Sequence, residues 1–259
     1  MTTRFRRAVL SSLVLLTLGA GGAAHAGDVA ASGVAASGVV TDANIVTGLD
    51  ISASIDAGAM RAQIVGMATA IGSPEVVAAI RSGYHGRIGF TVFAWHHGQF
   101  PTVVSWSVIA SQEDARAAAD AVAARLDVKV EEEAHRSVKN YIGRLTNLSQ
   151  AIDHAAVLVG AAPFPTDRAV VNIIGNGTDN VGEGPAIARD RFVEAGGTVN
   201  GVVLGPDPGL LEYYREHVIG GPGAFVLSTA DADGILDVMR RKLVVEIARL
   251  DPASPDLTR

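Results

Sequence analysis

Short apolar runs alternate with longer amphipathic stretches from Asn44 onward, and this alternation constrains the fold more than any other feature of the sequence. Such alternation is typical of an α/β fold with a mostly parallel sheet and helices on both faces. The runs predict β-strands at Ile45–Leu49, Ile88–Trp95, Thr102–Val108, Ala169–Ile174, Val199–Leu204 and Ala224–Leu227. The helical patterns lie at Ala57–Ile71, Pro74–Arg81, Gln112–Arg125, Leu148–Val159, Pro185–Glu194, Pro208–Val218 and Asp231–Ala248.

The second and third predicted strands are joined by the segment His96–Pro101 alone. Because this connection holds no helix, the two strands should form an antiparallel hairpin. We therefore expect one antiparallel edge strand in an otherwise parallel sheet. Ligands of such open sheets bind at the carboxyl ends of the parallel strands, so the residues directly after each strand are the first candidates for a site.

The N-terminal segment has the three-part form of a cleaved secretory signal. Three arginines in residues 1–7 precede an uncharged apolar run over residues 8–20, and the small-residue triplet Ala24-His25-Ala26 follows. The run is shorter than the ~20 residues of a spanning helix, so we expect no stable membrane span after cleavage and a periplasmic or secreted location. The predicted organisation is a signal peptide over 1–26, a flexible Ala/Ser/Gly linker over 27–41, a folded domain over 42–248 and a disordered tail over 249–259.

Composition excludes several classes of site. The chain has no cysteine, which rules out Cys-ligated zinc, iron–sulfur clusters, thiol nucleophiles and disulfides. Its formal net charge is −6. Because binding to a phosphate backbone draws its affinity from Lys and Arg, we expect no nucleic-acid partner.

The first predicted strand runs directly into Asp50-Ile-Ser52-Ala-Ser54. This order places one carboxylate and two hydroxyls at alternating positions on a turn at the carboxyl edge of the sheet. Oxygen ligands of this kind suit a hard divalent cation such as Mg²⁺. The alternative is that Ser54 or Asp56 caps the following helix.

Two further segments carry polar side chains at comparable positions. Thr146 lies just ahead of the predicted helix at Leu148, and Gly175–Asn180 follows the fourth strand. With Asp-x-Ser-x-Ser, these segments resemble a von Willebrand factor A domain, in which the three corresponding segments form the metal-ion-dependent adhesion site. The resemblance implies a Rossmann-like three-layer sandwich.

The chain is still more similar to a bacterial family of exported A-like proteins, domain of unknown function 1194, over about residues 42–248. The run Val218–Phe225 is the most specific part of this similarity. The other matching segments are Gly86–Gly89, Ala94-Trp95, Ala188–Asp190, Val199–Gly201, Tyr213-Tyr214 and Arg241–Leu243 with Glu246.

The resemblance implies metal ligands, with one departure from the family pattern. Asp50, Ser52 and Ser54 correspond to the first segment and Thr146 to the second, but Asn176 stands where the family has an aspartate. The missing charge removes about 6–7 kcal/mol of gross attraction at ~5 Å and an effective dielectric of ~20, so Mg²⁺ or Mn²⁺ should bind more weakly. Asp179 is the candidate substitute. The predicted metal site is therefore Asp50, Ser52, Ser54, Thr146, Asn176 and Asp179.

Three functions remain open at this point. The first is an exported, non-enzymatic binding module whose metal ion engages an acidic group of a protein or other ligand. The second is a metal-free scaffold whose site has degenerated through Asn176. The third is a metal-dependent hydrolase, for which the sequence places no general base beside the site; we predict no catalytic residue.

Overall fold

The computed structural model describes residues 38–52, 54–126, 145–231 and 234–248. Contacts divide the chain into two units, Met1–Gly33 and Val34–Arg259, and every described residue belongs to the second. The predicted signal peptide, the linker up to residue 37, the segment 127–144 and the predicted tail lie outside the described residues. Thr41, at the end of the predicted linker, is buried, and its backbone N–H donates to the carbonyl of Pro165.

Six strands form one sheet in the order β3-β2-β1-β4-β5-β6. The β2–β3 pair is antiparallel and all other pairs are parallel, so β3 is an antiparallel edge strand. This confirms the predicted architecture of the sheet. The strands are β1 (Asn44–Asp50), β2 (Ile88–Trp95), β3 (Thr102–Ile109), β4 (Ala169–Gly175), β5 (Thr198–Leu204) and β6 (Val226–Thr229).

Helices cover both faces of the sheet, as expected for a three-layer sandwich. Within the described residues the α-helices are α1 (Ala57–Ile71), α2 (Pro74–Ser82), α3 (Gln112–Ala123), α4 (Leu148–Gly160), α5 (Pro185–Glu194), α6 (Pro208–Tyr213) and α7 (Gly234–Ala248). One core packs α1, α2, α3 and α7 on one face, and a second packs α4, α5 and α6 on the other. The single helix predicted over Pro208–Val218 instead widens after Tyr213 into a π-helical turn, Tyr214–Val218, a distinction that apolar periodicity does not make.

The burial of the strands explains their sequence patterns. Every residue of β1 and β2 is buried, since both of their faces are covered by helices, and such strands appear in sequence as continuous apolar runs. Alternate side chains still serve different cores: Ile45 and Leu49 pack toward α1 and α7, whereas Val46 packs toward α4. The edge strand β3 has exposed positions.

No single helix in the described part of the chain is long and apolar enough to cross a membrane. The pair α1 and α2, bent by 52° at the break between them, meets the requirement jointly by length and composition.

A buried polar network fastens α7 to the centre of the sheet. Lys242 and Glu246, one helical turn apart on α7, are 1% and 2% exposed at their side chains, and their Nζ and Oε2 atoms are 2.7 Å apart. Lys242 also donates to Asn172 Oδ1 on β4, and Asn172 Nδ2 donates to Thr47 Oγ1 at 3.2 Å and to Glu246 Oε2 at 3.1 Å. Burial lowers the pKa of Lys242, while the adjacent Glu246 carboxylate opposes that shift. The ion pair is thus fully enclosed, and each charge depends on the other.

Removing one member of this pair should therefore cost more than removing both. Lys242→Met leaves the Glu246 carboxylate buried without its counter-charge, and we expect the free energy of unfolding to fall by about 3–5 kcal/mol. The double variant Lys242→Met/Glu246→Gln should recover most of that loss. Urea denaturation of the three proteins tests this, and equal losses in both variants would contradict it.

Candidate metal centre

The first segment of the site begins where β1 ends. Asp50 is 1% exposed, and its Oδ1 accepts the backbone N–H of Ser52 at 2.8 Å. Its second oxygen, Oδ2, is buried and has no hydrogen-bond partner among the described residues. One carboxylate oxygen is thus fixed by the backbone, and the other is buried without a geometrically defined hydrogen bond to the described residues.

The side chain of Gln63, on α1, holds the backbone of Asp50 through two hydrogen bonds. Gln63 Oε1 accepts the Asp50 N–H at 3.2 Å, and Gln63 Nε2 donates to the Asp50 carbonyl at 3.0 Å. Sequence reasoning missed this residue. The available signal was a glutamine beside the apolar stripe that includes Met60 and Ile64, because a buried amide there needs polar partners.

The two serines and Asn176 form a connected chain of polar atoms. Ser52 Oγ and Ser54 Oγ are 3.0 Å apart, and Ser54 Oγ donates to Asn176 Oδ1 at 2.7 Å. Asn176 Nδ2 returns a hydrogen bond to the Ser54 carbonyl at 3.0 Å. The cap of α1 is Asp56, whose Oδ1 accepts the Ala59 N–H at 2.8 Å. Ser54 is therefore released from the capping role and belongs to the polar chain.

Thr146 is buried against the loop that follows β4. Its Oγ1 lies 3.6 Å from the position that a Cβ would take at Gly177. Its N–H donates to Asn180 Oδ1 at 2.9 Å, and the Asn180 N–H donates to the Thr146 carbonyl at 3.1 Å. The second predicted segment is thus held on the third, which is itself joined to the first through Asn176 and Ser54.

Asp179 takes a different place from the other predicted ligands. Its Oδ1 accepts the N–H of Leu148 at 2.5 Å, and the N–H of Ser149 also interacts with the carboxylate. Burial raises the pKa of Asp179 despite these two N–H groups. Asn147 accepts the Gln150 N–H at 2.9 Å, so the two side chains together satisfy the first turn of α4. In this arrangement Asp179 serves the helix terminus.

Three side chains with buried, unpartnered polar atoms converge over Gly175, at the end of β4. A Cβ at Gly175 would lie 2.7 Å from Tyr214 Oη, 3.0 Å from Asp50 Oδ2 and 3.2 Å from Trp95 Cζ2. Tyr214 Oη, Asp50 Oδ2 and Trp95 Nε1 each have no hydrogen-bond partner in the described part of the structure. A Cβ at this position would therefore press first on Tyr214 Oη and then on the Asp50 carboxylate. Trp95 and Tyr214 are both fully buried.

Burial dominates the electrostatics of the site. It raises the pKa of Asp50 to about 6, against the lowering effect of the Ser52 hydroxyl and the backbone N–H groups of Ser52 and Asn176. The pKa of Tyr214 is raised well above its usual value, first by burial and then by the Asp50 charge. A negative charge on Asp50 is therefore under-compensated by the protein, which is the condition in which a cation gains most from binding.

The donor set fits a hard divalent cation. It comprises an unpartnered carboxylate oxygen, neighbouring serine hydroxyls and an amide oxygen, which are the ligand types that Mg²⁺ and Mn²⁺ prefer. The described residues contain no group of three or more His, Cys, Asp or Glu side chains able to hold a metal ion. Asp50 would supply the one carboxylate, with Ser52 and Ser54 beside it.

The sequence matches the family described as "Protein of unknown function (DUF1194)" over residues 40–251. The chain belongs to this family. No curated protein matches it at a significant level.

Solved structures with a similar fold include von Willebrand factor A domains. A von Willebrand factor type A protein from Catenulispora acidiphila superimposes with a TM-score of 0.51 at 17% identity, covering 81% of this chain and 43% of that one. The pilus adhesin SpaC from Lactobacillus rhamnosus GG gives 0.51 at 11% identity, covering 82% and 30%. The N-terminal domain of TFIIH p34 gives 0.50 at 12% identity, covering 77% and 97%. The chain thus spans less than half of the first two proteins, and the similarity establishes the von Willebrand factor A-like fold.

Asp50 should make the metal-free protein less stable as the pH rises. Its pKa is about 6 when folded against 3.8 for the free side chain, so the folded state holds the proton more tightly and stability falls between those two values. Asp50→Asn removes this penalty, and we expect it to be more stable than wild type by up to about 3 kcal/mol at pH 7. Urea denaturation in EDTA measures the difference, which should shrink toward pH 4; a difference independent of pH would contradict the assignment.

Asp179 can be separated from the metal ligands by two readouts. Asp179→Ala should lower the free energy of unfolding by about 1 kcal/mol, as for other lost caps, and Asp179→Asn, which keeps an acceptor, should lose less. Neither substitution should change the stabilisation by added Mg²⁺ or Mn²⁺, because the carboxylate is occupied by α4. Loss of that metal response in both variants would instead make Asp179 a ligand.

Proposed function

We propose that the chain is an exported, non-enzymatic interaction module that uses a divalent cation, Mg²⁺ or Mn²⁺, to engage an acidic group of a protein or other ligand. Its von Willebrand factor A-like fold supports an interaction module. The observation that supports the metal is Asp50 Oδ2, which is buried and has no hydrogen-bond partner among the described residues, together with the linked hydroxyls of Ser52 and Ser54 on the same turn. Export is supported by the pattern of residues 1–26.

The charge of the site favours an acidic ligand. Among the described residues, Asp50 is the carboxylate hydrogen-bonded to the Ser52–Ser54 pair, since Asn176 is neutral and Asp179 accepts from α4. A bound divalent ion would keep one net positive charge, whereas a second carboxylate would cancel it. A ligand carboxylate supplies both the missing charge and a hard oxygen donor. The amide at Asn176 thus weakens binding of the ion alone and strengthens the attraction of the bound ion for an anion.

A metal-free scaffold is the second candidate, and one contact favours it. Asn176 bonds Ser54 through both ends of its amide, accepting from Oγ and donating to the carbonyl. These two hydrogen bonds join the loop after β1 to the loop after β4 without an ion. In such a protein the domain would act through its surface, and the metal experiment below separates the two candidates.

The non-enzymatic assignment is supported by the surroundings of the site. Hydrolysis by a metal-activated water needs a group that accepts and returns protons. His154, on α4, packs against Phe93 and stacks on Phe100 at a ring distance of 4.6 Å, with its pKa lowered by burial. Asp179 is bound to the first N–H groups of α4. Neither residue is therefore positioned to act as a general base beside Ser52 and Ser54.

Metal binding is tested by thermal unfolding with and without Mg²⁺ or Mn²⁺. At a metal concentration of about one hundred times the Kd, binding adds about 2.7 kcal/mol, which corresponds to a rise in Tm of roughly 5–11 °C for a domain of this size. Asp50→Ala should abolish the rise, and Glu212→Ala, which removes an exposed carboxylate elsewhere, should retain it. A Tm that does not change at millimolar metal would favour the scaffold.

The acidic-ligand proposal is tested by capture from the periplasmic and secreted proteins of the source bacterium. Immobilised chain should retain partners in Mg²⁺ and release them in EDTA, and Asp50→Ala should retain none of that set. Amidation of the partners' carboxyl groups with carbodiimide and ethanolamine should abolish capture as well. Partners that survive both EDTA and amidation would show that the domain binds through another surface.

A further inference from the structure

A cavity of about 340 Å³ opens at the opposite edge of the sheet from the candidate metal centre. It lies at the amino-terminal ends of β4 and β5, where Val170, Thr198 and Asn200 line it, and it is closed by the loop Pro222–Phe225. Its size falls within the 300–1,000 Å³ typical of small-molecule sites. Glu246 of α7 also lines it. This cavity shares no residue with the metal centre.

Glu246 gives the cavity a buried acceptor with unused capacity. The residue is 3% exposed. Its Oε2 accepts from Lys242 Nζ and Asn172 Nδ2, whereas among the described residues its Oε1 has one long contact, 3.4 Å from Asn200 Nδ2. A carboxylate oxygen accepts two hydrogen bonds, so Oε1 has room for a stronger donor. Because Asn200 is itself part of the lining, Oε1 is the oxygen on the cavity side.

The walls of the cavity are preformed. Asn200 Oδ1 accepts the Phe225 N–H at 3.0 Å, and Thr198 Oγ1 donates to the Pro222 carbonyl at 3.2 Å, so both strand residues hold the closing loop in place. Phe225, Pro222 and Val170 give the cavity apolar surface beside the carboxylate. A ligand would therefore lose little free energy in ordering the site.

The charges favour a cation. Asp167 and Arg168 line the cavity with opposite charges, so Glu246 is the lining residue that places a negative charge at the floor. Its counter-charge, Lys242, pairs with Oε2 and lies 5.6 Å from the centroid of the Phe225 ring, although it is not part of the lining; Oε1 is the oxygen left for a cationic donor. A cationic donor to Oε1 makes a charge-assisted hydrogen bond, roughly twice as strong as a neutral one.

We propose that this cavity is a binding site for a small organic ammonium compound. The ammonium group donates to Glu246 Oε1, and the apolar body of the ligand packs against Phe225 and Pro222. The buried Lys242–Glu246 pair then has two roles: it fastens α7 to the sheet, and it holds a carboxylate at the floor of the cavity. This site does not depend on the metal.

Binding is tested first on the unaltered chain by NMR titration with two isosteric probes, in EDTA. Benzylamine, protonated at pH 7, should shift the backbone amide signals of Gly196, Thr198, Gly223 and Phe225. Benzyl alcohol, its neutral counterpart, should bind at least tenfold more weakly. Equal affinities for the two probes, or benzylamine shifts confined to other parts of the domain, would overturn the proposal.

The role of Glu246 is tested with a variant that leaves no buried charge unpaired. Lys242→Met/Glu246→Gln should lose benzylamine binding at least tenfold while retaining a dispersed amide spectrum. Glu212→Gln, which removes one exposed carboxylate, should bind as wild type does. Undiminished binding by the double variant would overturn the proposal, and the comparison of benzylamine with benzyl alcohol stands without any variant.

Discussion

The candidate site depends on one buried carboxylate that the protein only half satisfies. Asp50 ends a strand with no exposed residue, and Gly175, Trp95 and Tyr214 enclose its free oxygen. Burial of an ionised group with so little compensation is unfavourable, and the raised pKa of Asp50 expresses that cost. A cation at this position would supply the missing interaction, so the same burial that weakens the metal-free fold strengthens the site.

Asn176, in place of an aspartate, lowers the affinity of the site for a cation but preorganises its ligands. A second carboxylate here would attract a cation more strongly, but it would face Asp50 as a like charge and would lack a donor for the Ser54 carbonyl. The amide supplies that donor and accepts from Ser54 Oγ at the same time. Ser54 is thereby held in place before any ion binds, which reduces the entropy lost on binding. Compared with an aspartate, Asn176 gives up one negative charge but holds Ser54 through two hydrogen bonds.

The sequence predicted the sheet well, because its strands follow from local patterns. Buried parallel strands appear as apolar runs, and the short link after Trp95 requires a hairpin. Three interactions were not predictable, since each joins segments that only the tertiary fold brings together. They are the hydrogen bond of Ser54 to Asn176, the capping of α4 by Asp179, and the hydrogen bonds of Gln63 to the Asp50 backbone. For Asp179, the sequence predicted a ligand, whereas in the structure its carboxylate accepts from the first N–H groups of α4.

The metal centre, at the ends of β1 and β4, and the ammonium cavity, at the starts of β4 and β5, share one strand but face different layers. Asp50 points with Trp95 and Tyr214 into the core beneath α4 and α5, whereas Asn172 reaches the ion pair beneath α7. Thr47, hydrogen-bonded to Asn172, lies three residues before Asp50 on β1. Any influence of one site on the other would have to pass along this rigid parallel ladder, across which β1 and β4 keep an unbroken register. Strands held this way transmit little displacement, so the two sites should bind their ligands independently.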